Sequence, residues 1–124
     1  MLVEDDTDDQ QIFMLALEEI DPMLKCRMVN SCHSAIETLT ANPVLPQLIF
    51  LDLNLPRING KECLSRIKQH PALQNIPIVI YSTSDNYRDK VETKNLGAHA
   101  FITKPSSLDE LVITLRPYLL NAVL

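Results

Sequence analysis

The chain has 124 residues, of which 46% are hydrophobic and 22% are charged, so it can bury a core and is not a disordered chain. We therefore interpret residues 1–124 as one domain. The formal net charge of −5 argues against direct binding of nucleic acid, and neither a long apolar run nor a secretory leader is present, so we expect no membrane partner and a cytoplasmic location.

Short apolar runs alternate along the chain with longer helical patterns. The runs have the length of strands and cover residues 1–3, 26–29, 48–51, 78–81 and 100–102. Only three residues precede Glu4, so we expect the natural chain to begin a few residues earlier. Strands that alternate with helices predict an α/β fold with a parallel sheet, right-handed crossovers and helices on both faces.

The helical segments carry start signals, apolar stripes and stop signals. A hydroxyl residue followed three positions later by Gln or Glu predicts starts near Thr7, Ser34 and Ser107. Several side chains are expected to face inward on the first and fourth helices: Ile12, Leu15, Ala16, Tyr87 and Val91. Gly97 is expected to follow the fourth helix in a left-handed conformation, and Pro117 should kink or stop the last helix unless it begins a new turn.

The cysteine count predicts free thiols. The chain has three cysteines and no CxxC pair, and an odd count in a cytoplasmic domain does not indicate a disulfide framework. We therefore expect Cys26, Cys32 and Cys63 to be reduced.

Polar side chains follow four of the predicted strands. Glu4 and Asp5 follow the first strand, Asp52 the third, Ser82 the fourth and Lys104 the fifth. Because ligands of doubly wound folds bind beyond the carboxyl ends of the strands, these residues mark the candidate site. Carboxylates a few ångströms apart repel one another, and a hard divalent cation such as Mg²⁺ relieves that repulsion. One carboxylate could then act as a nucleophile toward a phosphoryl group.

These residues lie within longer motifs. The motifs are Leu2-Val3-Glu4-Asp5-Asp6, Leu51-Asp52-Leu53-Asn54-Leu55-Pro56 with Asn59-Gly60, Pro77-Ile78-Val79-Ile80-Tyr81-Ser82, and Phe101-Ile102-Thr103-Lys104-Pro105. Together they resemble the receiver domain of two-component response regulators, of the single-domain type, over essentially the whole chain. The resemblance implies a flavodoxin-like (βα)5 doubly wound parallel sheet with strand order 2-1-3-4-5. Receivers that serve phytochrome-type kinases have a similar third-strand ending, which suggests that subgroup.

The resemblance also implies a role for each matching residue. Asp52 would accept a phosphoryl group from the phosphohistidine of a sensor histidine kinase in a Mg²⁺-dependent reaction. The implied metal ligands are Glu4, Asp5, Asp52 and the carbonyl of Asn54. Lys104 would pair with the acyl phosphate.

The remaining implied roles concern the switch and its surroundings. Ser82 would move to hydrogen-bond the phosphoryl group, and Phe101 would change rotamer with it. Pro105 stands where this family often has a cis peptide bond. Thr83 is bulkier than the Ala or Gly common at its position, so we expect a phosphorylated form that hydrolyses slowly.

The first helical turn carries further acids, and the strand-end residues also allow functions other than that of a receiver. We interpret Asp6, Asp8 and Asp9 as solvated acids in the first helical turn. The chain could be a phosphorylation-independent interaction module, a small aspartyl-phosphate hydrolase or a flavin-binding protein. The intact strand-end set, the absence of room for a substrate cap and the acidic first loop weigh against these. We expect a switch rather than a dedicated enzyme, with an unknown downstream protein and a second copy of the chain as candidate partners.

Overall fold

The computed structural model describes residues 1–123, and side chains through residue 120. Five strands and five helices alternate: β1 Leu2–Val3, α1 Thr7–Ile20, β2 Met28–Val29, α2 Cys32–Ala41, β3 Ile49–Leu51, α3 Gly60–Gln69, β4 Ile78–Ser82, α4 Tyr87–Asn95, β5 Ala100–Thr103 and α5 Leu108–Val123. All strand pairs are parallel, in the order β2-β1-β3-β4-β5. The predicted flavodoxin-like fold is confirmed. No described helix is both long and apolar enough to cross a bilayer.

The sheet divides the core into two layers. One contains inward side chains of α2 and α3, including Leu39 and Leu64, and the other those of α1 and α5, including Phe13 and Leu115. The side chains of β3 and β4 are buried on both faces, as their continuous apolar sequence predicts. Because the strands are parallel, their carboxyl ends meet at one edge.

The predicted inward face of α1 is wrong. Ile12 and Leu15 are 43% and 52% exposed, whereas Phe13, Ala16 and Leu17 are buried. Both sets have helical spacing, and the phase is decided by Phe13, whose ring packs edge-on against Phe50 and Tyr81 at centroid distances of 5.1 and 5.4 Å. Ala16 was the one correctly placed member of the predicted stripe.

Helix α4 also presents a different face from the predicted one. Tyr87 is 80% exposed and Val91 is partly exposed, and Thr93 is the buried residue of the helix. Its hydroxyl donates to the Asp89 carbonyl at 2.8 Å, so burial of Thr93 does not leave this donor unsatisfied. Gly97 follows the helix with φ +103°, which confirms its predicted left-handed conformation.

Helix α5 continues through Pro117 without stopping. Proline removes one backbone donor, but Leu111, Val112 and Leu115 bury the helix against α1 and the sheet. This packing favours the continued helix, so the predicted stop at Pro117 is wrong.

The cysteine prediction is wrong for two of the three residues. Cys32 and Cys63 form a disulfide that joins α2 to α3, with their Cα atoms 5.6 Å apart and both side chains buried. The two helices lie side by side on one face of the sheet, which brings together residues 31 positions apart in sequence. Cys26 is free and half-buried.

Candidate phosphoryl-transfer and metal site

The four strand ends converge as the topology predicts. Backbone hydrogen bonds between neighbouring strands fix where each strand end lies relative to the next. The Glu4 N–H donates to Val29 O at 2.9 Å, and the Asp52 N–H donates to Val3 O at 3.1 Å. The Lys104 N–H donates to Ser82 O at 2.7 Å. The side chains that follow β1, β3 and β5 therefore share one acidic depression of about 500 Å³, whose lining includes Glu4, Asp5, Asp52 and Lys104.

Three carboxylates form the acidic group of this depression. Glu4, Asp5 and Asp52 each place an oxygen within 4.8 Å of the others. Glu4 and Asp52 are buried and Asp5 is exposed, so the group opens toward solvent on one side. The pKa of Glu4 is raised to about 7: burial raises it most, the hydrogen bond from Lys104 lowers it, and the neighbouring Asp52 adds to the rise.

Lys104 is the cation of the site. Its Nζ donates to Glu4 Oε1 at 2.6 Å and to Asp9 Oδ2 at 2.8 Å, and lies 3.6 Å from Asp52 Oδ2. Burial by itself would lower the pKa of this ammonium, but the hydrogen bonds to Asp9 and Glu4 raise it above its usual value. The lysine is therefore charged at neutral pH and lies beside the predicted acceptor carboxylate.

The predicted switch residues lie on β4 and β5. Ser82 is fully buried at the end of β4, and its Oγ accepts a hydrogen bond from the Ser84 N–H at 3.2 Å. Thr83 and Asn54 line the acidic depression. Phe101 is half-buried against the core layer of α2 and α3, with Lys90 Nζ 5.9 Å from its ring centroid.

The peptide bond before Pro105 is not in the cis form that the family often has at this position. The Lys104–Pro105 peptide bond is trans, as are the other peptide bonds of the described residues. The lysine nevertheless reaches the acidic group, because the backbone bond between its N–H and Ser82 O holds it at the strand end.

The segment after Asp52 is held against the start of α3. Asn59 caps the helix by accepting from the Glu62 N–H at 3.0 Å, and the Gly60 N–H donates to Leu53 O at 2.9 Å. A Cβ atom at Gly60 would lie 2.2 Å from the Asp52 carbonyl oxygen. Only glycine allows α3 to approach the backbone of Asp52 this closely.

Sequence reasoning missed Asp9. It was interpreted as a solvated acid of the first helical turn, but it contacts Lys104 directly. Asp6 is the helix N-cap, and its Oδ1 accepts from the Asp8 and Asp9 N–H groups at 2.9 and 3.0 Å. Residues 4–9 contain five acids in six positions, and no local spacing distinguishes Asp9 from Asp8. The sequence alone therefore does not show which of these acids faces inward.

The donor set fits a hard divalent cation. The three clustered side chains offer only oxygen ligands, and the open side offered by exposed Asp5 leaves room for water, which Mg²⁺ commonly retains. No His or Cys belongs to the cluster, so the donor chemistry does not suit a structural zinc site. The site can therefore combine a metal ion, a buried carboxylate and a fixed ammonium.

Comparison with known proteins identifies the family. The sequence model of the response regulator receiver domain family matches residues 1–116 of this chain. The chain belongs to the response regulator receiver family. It is homologous to response regulators that accept phosphoryl groups in two-component signalling.

Two curated relatives show how far this similarity extends. Response regulator Rcp1 of Synechocystis sp. is 43% identical over 70 residues, which are 56% of this receiver and 48% of Rcp1. The transcriptional regulatory protein BasR of Escherichia coli is 32% identical over 119 residues, which are 96% of this chain and 51% of BasR. The receiver thus spans about half the length of each.

Solved structures extend the similarity over the whole receiver fold. The phosphorylated cyanobacterial phytochrome response regulator RcpA superposes with a TM-score of 0.85 at 34% identity, over 94% of this chain and 87% of that one. The Mn²⁺-bound form of Rcp1 superposes with a TM-score of 0.78 at 31% identity over the same shares of the two chains.

Proposed function

We propose that this receiver takes a phosphoryl group onto Asp52 from the phosphohistidine of a sensor histidine kinase. The observation that carries the proposal is the placement of the buried Asp52 carboxylate, which lies within 4.8 Å of Glu4 and Asp5 oxygens and 3.6 Å from Lys104 Nζ. The relatives support the reaction class.

The proposed step is an in-line displacement at phosphorus. An oxygen of the Asp52 carboxylate attacks the phosphorus atom, the P–O bond forms, and the P–N bond to the kinase histidine breaks. The electron pair of that bond stays on the histidine ring, which leaves as a neutral imidazole after it takes up a proton from solvent. The bond formed is an acyl phosphate, which a water molecule later hydrolyses.

Glu4, Asp5, Asp52 and the Asn54 carbonyl would hold Mg²⁺. When bound, the ion neutralises charge on the phosphoryl oxygens. The Mn²⁺-bound form of Rcp1 supports a divalent cation at a receiver of this kind. Lys104 would contribute a second positive charge, because its Nζ lies 3.6 Å from Asp52 Oδ2.

The Ser82 hydroxyl would then exchange its contact with the Ser84 N–H for one with the phosphoryl group. Phe101 is placed on the adjacent strand β5, opposite Ile80, so its rotamer can respond to movement of β4. This change would alter the surface read by a downstream protein or by a second copy of the chain. We propose a switch rather than a dedicated enzyme.

The pathway proposal rests on the relatives. RcpA is a phytochrome response regulator, so a phytochrome-type kinase is the candidate donor. The expected cytoplasmic location is part of the same proposal, because it depends on where that kinase presents its histidine.

Intact mass spectrometry after incubation with acetyl phosphate and Mg²⁺ tests the acceptor. We expect the addition of one phosphoryl group in the unaltered protein and in Asp109→Asn, which changes an exposed acid of α5. Asp52→Asn should remain unmodified, and Lys104→Ala should react much more slowly. Phosphorylation that persists in Asp52→Asn would refute the assignment, and no phosphorylation of the unaltered protein would favour the interaction-module alternative.

A further inference from the structure

Lys104 has two carboxylate partners in addition to the acceptor. A lysine ammonium has three N–H donors. Glu4 and Asp9 accept two of them, at 2.6 and 2.8 Å, and the next acidic oxygen is that of Asp52 at 3.6 Å. The Tyr81 ring, with its centroid 5.3 Å from Nζ, covers another side of the ammonium group. Asp52 is therefore the nearest acidic side chain left for the third donor.

The two partners are not equivalent. Glu4 is one of the three carboxylates grouped within 4.8 Å of one another. A bound cation would therefore compete with Lys104 for the negative charge of Glu4. Asp9 is outside that group and belongs to the first turn of α1. Asp9 is thus the anionic partner that Lys104 keeps when Glu4 is committed to a metal ion.

We propose that Asp9 is a positioning residue for phosphoryl transfer, which holds the Lys104 ammonium beside Asp52. This inference rests on the proposed function and deepens it. Lysine is a flexible side chain that loses rotamer freedom when it is held in one place. Because Glu4 and Asp9 already hold Lys104, the lysine has lost that freedom before the phosphodonor binds. The donor therefore meets a cation that is already in position.

The fold keeps Asp9 itself in place. The N-cap Asp6 accepts the Asp9 N–H at 3.0 Å, and the Gln10 side chain donates to the Glu4 carbonyl at 2.6 Å. The first bond fixes Asp9 within the first turn of α1, and the second connects that turn to the end of β1. Asp9 therefore moves with the acidic group and not independently of it.

The alternative is that Asp9 contributes only negative charge. In that case, its removal should speed the reaction with an anionic phosphodonor, because repulsion near the site falls. Asp8 provides the matched control. It carries the same charge in the same turn, Asp6 also accepts its N–H, and it has no ion pair among the described residues. The two explanations predict opposite signs for Asp9→Asn.

The first measurement is the rate of phosphorylation by acetyl phosphate with saturating Mg²⁺, followed by intact mass. We expect Asp9→Asn to react about fivefold more slowly than the unaltered protein, and Asp9→Glu to recover to within about twofold of it. Asp8→Asn should react at the original rate or faster. Equal rates for Asp9→Asn and Asp8→Asn would overturn the proposal. Thermal unfolding of each variant separates these effects from loss of the fold.

The second measurement does not require phosphorylation. In metal-free protein, the ¹⁵Nζ–¹H correlation signal of Lys104, assigned by its loss in Lys104→Ala, reports the hydrogen-bonded ammonium. We expect the signal to shift or broaden in Asp9→Asn and to stay in place in Asp8→Asn. An unchanged signal in Asp9→Asn would overturn the proposal. If the unaltered protein accepts no phosphoryl group while the signal depends on Asp9, the pairing stands and the proposed function fails.

Discussion

Gly60→Ala should damage both stability and phosphorylation, because the added methyl group has no space. It would lie 2.2 Å from the Asp52 carbonyl oxygen and 2.5 Å from Leu53 Cα, both of them backbone atoms. These atoms cannot rotate away as a side chain can, so α3 and the segment after β3 must separate by roughly 1 Å. Overpacking of this kind costs about 3 kcal/mol at the upper end of the usual range.

That cost predicts measurable effects. For a domain of this length, it corresponds to a fall in Tm of about 12 °C. A displacement of about 1 Å at a reacting group can slow a reaction by about 100-fold, so phosphorylation by acetyl phosphate should fall by that order. Differential scanning calorimetry and the mass assay measure the two effects on the same preparation.

Gly97→Ala is the matched control for Gly60→Ala. Gly97 has φ +103°, so alanine there is strained by about 1–2 kcal/mol, but the atom it would meet is Lys68 Cγ at 3.3 Å, in a flexible side chain away from the acceptor. We expect a lower Tm with an unchanged phosphorylation rate. A Gly60→Ala protein with the original Tm and the original rate would refute the packing argument.

Three further outcomes are expected. Thr83 lines the acidic depression, so Thr83→Ala should leave more room for an attacking water molecule and shorten the lifetime of the phosphorylated form, measured by mass in Mg²⁺ buffer. Decay within seconds in the unaltered protein, with no change in the variant, would contradict this. Pro117→Ala should raise Tm by several degrees, because it restores a backbone donor inside α5, worth about 1–3 kcal/mol; an unchanged Tm would show that the bond is not recovered. In EDTA, the free energy of unfolding should fall between about pH 4.5 and about pH 7. The pKa of Glu4 is raised from 4.5 to about 7, so its contribution is fully present below the unfolded value and is lost as pH rises through the folded one; Glu4→Gln should flatten this slope in thermal scans.

The strand-end chemistry was predictable because it depends on topology more than on packing detail. Alternating strands and helices imply a parallel sheet, and a parallel sheet brings its carboxyl ends to one edge. Glu4, Asp5 and Asp52 therefore had to be neighbours once the strands were recognised, and the structure places them within 4.8 Å.

Side-chain direction was decided by the tertiary structure. The periodicity of α1 allows either Ile12 and Leu15 or Phe13 and Leu17 to face inward. The second set is selected by the packing of the Phe13 ring against Phe50 and Tyr81 in the core. The pairing of Cys32 with Cys63 similarly depends on two helices that meet on one face of the sheet.

Local sequence patterns and chain connectivity are sufficient to predict the order of the elements and the edge of the sheet at which the charged side chains lie. Which of several adjacent acids contacts Lys104 depends instead on how α1 packs against the sheet. Asp8 and Asp9 are chemically identical in sequence, but the first turn of α1 directs only Asp9 toward the end of β5. A position one residue away on a helix is rotated by about 100°, so contacts at that scale depend on how the helix is docked.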